Sequence, residues 1–262
     1  MRANELRHRA FSNVLKNSGH RVYEVIESKN YERKTTERSL TDSHFQTRVQ
    51  VEFDFFSNIA LDTGVVNYPS VNCIDINDDE VFKFANKLNA DLVITFGCSI
   101  VKSKLIQLYR NKILGIHLGL SPYYRGSGTN FFPFVNNELG AIGYTLMNLN
   151  EGVDTGDIVH QAYADIYIGD SIHVIGMRLI QKMFSEIVCV SHLDRLRSEF
   201  AAAVKQPKDK NFKVYRKQDF NELNLALAVK NLNNDSIKRF LENIEVERSK
   251  FPLIREINLD AT

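Results

Sequence analysis

Between residues 21 and 117 short apolar runs alternate with helical stretches: RVYEVIE at 21–27, VNCIDI at 71–76, DLVITF at 91–96 and KILGIH at 112–117. A run that stays apolar at successive positions is covered on both faces, which is the environment of a parallel sheet sandwiched by helices. Helices are predicted over 42–61, 78–89 and 101–110, and the acidic start of the second suits a helix N-terminus. Residues 4–17 set Leu6, Ala10, Phe11, Val14 and Leu15 at helical spacing, with Gly19 as the stop. The stretch 28–41 is polar and carries no pattern. The fold class is therefore α/β, with helices on both faces of a mostly parallel sheet.

From residue 141 the texture changes. AIGYTLMNLNEG and GDIVHQAYADIY alternate as two strands joined by a polar turn, and a long helix follows over 171–198. KQPKDKN at 205–211 is a turn-forming linker, and helices at 219–231 and 235–246 make a small C-terminal helical appendage. The expected division is a main domain over 1–204 and the appendage over 205–262. With 262 residues the chain buries a sizeable core. A net charge of +1 supplies no field for a polyanion, so nucleic acid is not an expected partner. No apolar stretch reaches membrane-spanning length, and the opening MRANELRHRA lacks the apolar centre of a signal peptide, so a cytoplasmic location is expected.

Several chemical signals are weak. RGSGTN holds only a GxG, without the third glycine of a dinucleotide fingerprint, and reads as a turn. His8, His20, His44, His160, His173 and His192 show no metal-ligand spacing, and no metal is expected. Cys73, Cys98 and Cys189 form no CxxC pair and read as buried or idle thiols, although Cys98 sits at a strand end where it could line a pocket. The stronger signal is a pair. His117 emerges from a buried strand into a Gly/Ser/Pro loop, and Asp154 lies in the turn LNEGVDTGDI between two strands. A carboxylate beside an imidazole fixes its tautomer and favours imidazolium, as a general acid or oxyanion donor needs. Spacing alone leaves a second reading open: His117 satisfied by a backbone carbonyl and Asp154 capping a turn.

IHLGLSPYYRGSG, with DTGDIV beginning 37 residues after its histidine, resembles the formyltransferase family that uses 10-formyltetrahydrofolate as one-carbon donor. NELRHRAF and DLVITFGCSI are also similar to family segments, so the resemblance spans most of residues 3–165, and the wording of the loop is nearest to sugar N-formyltransferases. It implies a Rossmann-like sheet, His117 as donor to the oxyanion of the attacked formyl group, and Asp154 as the residue that orients it. It places the pterin along Phe96, Gly97, Cys98, Ser99 and Ile100 and against Gly152 and Val153, bound chiefly by backbone groups. Ser121, Pro122, Arg125, Gly126 and Asn130 form the implied substrate loop. The implied acceptor is a small primary amine, with an amino sugar on a nucleotide favoured, and a homodimer is one assembly left open.

The sequence departs from the family twice. The family's asparagine falls on Gly115, which has no side-chain donor, and loss of one oxyanion donor costs roughly 100- to 1,000-fold in turnover. Asn130 or a water in its place, a slowed transferase, and a folate- or amine-binding protein of the same fold are the three accounts. The family's first interior strand also has no evident counterpart ahead of NELRHRAF. A dinucleotide-dependent oxidoreductase is the fold-level rival, and the missing GxGxxG counts against it.

Overall fold

A computed structural model describes residues 1–28, 40–188, 190–208 and 212–257, with the side chains of 188 and 190–193 left aside. Cys189, the side chain of His192 and most of the polar stretch at 28–41 lie outside the described residues. The first half of the chain runs β1 (Arg2–Ala3), α1 (Leu6–Asn17), β2 (Glu24–Glu27), α2 (Leu40–Ala60), β3 (Ser70–Cys73), α3 (Asp79–Leu88), β4 (Val93–Phe96), α4 (Ser103–Leu108) and β5 (Ile113–His117). It continues through β6 (Tyr124–Gly126), α5 (Phe132–Val135), β7 (Gly143–Asn148), β8 (Asp157–Tyr163), α6 (Ile172–Val188) and α7 (Val190–Glu199). The remainder is β9 (Lys213–Tyr215), α8 (Glu222–Asn231), α9 (Asn234–Glu242) and α10 (Ile244–Ser249).

Seven strands make one sheet in the order β3-β2-β1-β4-β5-β7-β8. Strands β1 to β5 pair in parallel, whereas β7 runs antiparallel to β5 and β8 antiparallel to β7. All five residues of β5 are buried, because it lies between β4 and β7 with packed side chains above and below. One face buries Phe11, Phe56, Leu114, Ile116 and Phe184. The other buries Val25, Val81, Leu105 and Ile113, with Val81 and Ala85 forming the inward stripe of α3. The hairpin expected from the alternating runs is β7–β8, and the helix predicted over 171–198 is carried by α6 and α7.

The interior strand that the sequence lacks is present after all. Arg2 of β1 pairs with Ile26 of β2 and with Phe96 of β4, so two residues fill that place in the sheet. A two-residue strand opening on arginine carries no period and no apolar run, which hides it in the sequence. Its charge is matched inside the fold: Arg2 Nε lies 2.5 Å from Glu24 Oε1, and Lys16 Nζ of α1 lies 2.7 Å from Glu24 Oε2. Ahead of β1, the Met1 ammonium donates to the Ile94 carbonyl at 2.8 Å, beside a cavity of about 490 Å³ bounded by Val25, Ile94 and Leu88.

The appendage is anchored on the main body by backbone pairing and by amides. Strand β9 pairs in parallel with β6, and the Tyr215 ring stacks 3.8 Å from that of Phe132. Asn231 Nδ2 donates to the carbonyls of Phe134 and Val135, tying α8 to α5. The segment beyond α10 then returns to the outer edge of β8, where the Gln161 N–H donates to the Arg255 carbonyl and the Ile257 N–H to His160 Nδ1.

Candidate functional site

The β7–β8 turn folds back over the sheet face that carries Gly115 and His117, and this brings the sequence-predicted pair together. His117 Nδ1 stands 3.5 Å from Asp154 Oδ1, with the imidazole 9% exposed and the carboxylate 22%. Its other nitrogen, Nε2, is 3.0 Å from the carbonyl oxygen of Tyr124. A carbonyl only accepts, so Nε2 carries the hydrogen in this arrangement. The histidine is thus satisfied by a backbone carbonyl and also faces the carboxylate. Asp154 Oδ2 accepts the Gly126 N–H at 2.7 Å, and its backbone sits in the left-handed region with φ +51°.

Gly115 is closed off rather than open. A Cβ there would stand 2.4 Å from Leu149 Cδ2, so a leucine fills the space a longer side chain at 115 would need. Gly119 is equally constrained, since a Cβ there would lie 2.7 Å from both His117 Nε2 and Thr129 Cβ. Asn130 Nδ2 faces Gly176 of α6 and its Oδ1 is buried without a partner, and among the described residues no hydrogen bond joins it to His117 or Asp154.

The predicted pterin segment follows β4. Phe96 is buried at the strand end, and Gly97 turns the chain with φ +69°, where a Cβ would strike His8 Nε2 at 2.2 Å. The Ser99 N–H donates to Glu27 Oε2 at 2.7 Å, and the other oxygen of this fully buried carboxylate accepts the Ile76 N–H. Cys98 is half-buried, whereas Ile100 is 60% exposed. In the β7–β8 turn Val153 is also exposed, and the Gly152 N–H donates to Asn150 Oδ1. His8 lies under this loop with Nδ1 2.8 Å from Glu5 Oε2; burial drives its imidazole down to about 4 despite that carboxylate.

The predicted substrate loop is divided by its packing. Ser121 and Pro122 are buried supports: the Ser121 N–H donates to Thr145 Oγ1, and its carbonyl accepts from Gln161 Nε2. Arg125 and Gly126 stay half-buried beside Asp154, and burial lowers the guanidinium from its ordinary value while Asp154 opposes the shift. Among the described residues no group of three or more His, Cys, Asp or Glu side chains is placed to hold a metal ion.

An open, mostly parallel sheet with a histidine leaving the carboxyl end of an inner strand and an aspartate folded back onto it is a Rossmann-like architecture. Residues 61–190 match the family described as formyl transferase, and the chain belongs to the formyltransferase family. Over 121 residues it is 31% identical to the methionyl-tRNA formyltransferase of Finegoldia magna, covering 43% of this chain and 38% of that protein. The methionyl-tRNA formyltransferase of Buchnera aphidicola is 23% identical over 211 residues, 80% of this chain and 60% of the relative. The chain thus spans less than two thirds of the length of these relatives. Among solved structures, an N-formyltransferase from Helicobacter canadensis, in complex with folinic acid and dTDP-3-aminofucose, superposes with a TM-score of 0.53 at 18% identity, covering 87% of this chain and 78% of that one. Phosphoribosylglycinamide formyltransferase from Anaplasma phagocytophilum gives 0.52 at 17% identity, covering 82% and 97%. At such identities the likeness is one of fold.

Glu27, Leu149 and Gln206 were not legible as site neighbours. Glu27 meets Ser99 across 72 positions and Gln206 meets Asp154 across 52, so no local spacing signals either contact. Leu149 follows β7 as one more apolar residue of an alternating run and meets Gly115 only because the turn folds back.

Proposed function

We propose that the protein transfers the formyl group of 10-formyltetrahydrofolate to a small primary amine, with an amino sugar carried on a nucleotide as the favoured acceptor. The observation that carries this reading is the approach of Asp154 to His117 at 3.5 Å within a formyl transferase domain. The donor supplies an activated formyl carbon: the amine nitrogen bonds to it, the carbon–nitrogen bond to the folate breaks, and the proton lost by the amine passes to the folate nitrogen. In the imidazolium form His117 donates Nε2–H to the developing oxyanion once that hydrogen leaves the Tyr124 carbonyl, while its Nδ1–H faces Asp154, whose carboxylate stabilises the ring's charge. Exposed Ile100 and Val153 offer apolar contact to a flat ring, which suits a pterin.

Residues 1–204 form the transfer domain in this reading, with 205–262 as the appendage. Leu149 over Gly115 leaves the oxyanion one donor short, which makes this a slow transferase. Methionyl-tRNA formyltransferases are among the relatives, but the balanced charge of this chain favours a small acceptor over tRNA. The test follows donor consumption with a panel of nucleotide-linked amino sugars, recording folate binding in the same samples. Amine-dependent consumption supports the proposal. Folate binding without turnover on any amine supports the binding-protein reading, and absence of both overturns the assignment.

A further inference from the structure

The stretch 205–211 reads as a linker, yet one of its side chains is bound at three points to the two loops that meet at Asp154. Gln206 Nε2 donates to the Asp154 carbonyl at 2.9 Å and to the Gly156 carbonyl at 2.8 Å, and Gln206 Oε1 accepts from Arg125 Nη2 at 2.9 Å. The amide thus spans the Asp-Thr-Gly turn from both ends and grips the residue beside Gly126. Gly126 in turn gives its N–H to Asp154 Oδ2, which closes a ring of contacts through both loops.

The base of this arm is fixed. Val204 exchanges two backbone hydrogen bonds with Ile158 of β8, at 2.7 and 2.9 Å, and Pro207 holds the backbone of residue 206 away from helical conformation. The turn has reason to need an external grip. A non-glycine residue at φ +51° is strained, and Gly156 approaches the Asn148 carbonyl so closely that a Cβ would stand 2.1 Å from it.

We infer that Gln206 is a positioning residue: by clamping the turn and Arg125 together it sets the carboxylate of Asp154 against His117. This rests on the transferase reading of the pair, and the clamp itself is testable without turnover. Gln206→Glu keeps an acceptor for Arg125 but loses both N–H donors to the turn, whereas Gln206→Ala loses all three contacts. Both variants are expected to lower kcat by about 10- to 100-fold with the KM for 10-formyltetrahydrofolate within about twofold of the parent, since misplacement near 1 Å has effects of that order. Hydrogen exchange at the Gly126 amide and across residues 150–156 is expected to accelerate at least about tenfold in both, with β4 and β5 unchanged.

Unchanged exchange around Gly126 in both variants overturns the clamp, as does acceleration spread evenly over the sheet, which marks a merely structural role. A loss confined to donor KM also overturns it. If the parent protein turns over no amine at all, the functional reading fails, while the exchange measurement still decides whether Gln206 orders the turn.

Discussion

At the level of single residues, the proposed roles divide into groups that act and groups that support them. His117→Ala is expected to lower transfer by about 100- to 10,000-fold, the span of a lost acid–base or donor group, with the thermal midpoint within a few degrees; retained turnover removes His117 from the mechanism. Asp154→Asn keeps the hydrogen bond from the Gly126 amide but loses the charge facing Nδ1, so steady-state kinetics should show the fall in kcat and not in donor KM. Gly115 calls for a paired change. Gly115→Asn alone drives a side chain into Leu149 and is expected to destabilise by about 1–3 kcal/mol. Combined with Leu149→Ala it regains that room, and turnover then rises by up to roughly 100-fold over the parent; denaturant melts and rate assays on the two variants check both halves. His117, Asp154 and the departure at Gly115 were legible because each sits in a motif. Leu149 and Glu27 were not, because they reach the site through folding rather than through neighbouring positions.

Among the elements, the long apolar runs were legible and β1 was not. DLVITF and KILGIH announce β4 and β5 because burial on both faces forces a continuous apolar run, whereas β1 is two residues whose arginine is neutralised by Glu24. That arrangement ties α1, β1 and β2 to one carboxylate. Burial pushes the Glu24 carboxyl up, but the hydrogen bond from Lys16 and the charge of Arg2 outweigh it and hold it down to about 2. A depressed carboxyl stabilises the fold above its ordinary value of 4.5, and that contribution is lost as pH falls from about 4.5 toward 2. Urea melts across this window should show a steep acid loss, and Glu24→Gln should be less stable at neutral pH with a flatter acid limb. An equally steep limb in the variant assigns the acid sensitivity elsewhere.

For the whole molecule, three features reach beyond a single element. Burial lowers His8, His44 and His173 to about 4 each, so the folded state keeps them neutral while the unfolded chain takes up protons near 6.5. Stability should therefore begin to fall below about pH 6.5, earlier than the carboxylates alone would cause, and replacing His44 and His173 together by phenylalanine should delay the onset. The segment past α10 covers the outer edge of β8 through Arg255 and Ile257, a contact hidden from sequence because neither end of it is patterned. A chain ending at residue 250 exposes that edge, and light scattering should report self-association that the full chain does not show. Inside the sheet, the Met1 ammonium is buried between β2 and β4, and burial pushes it below its ordinary value.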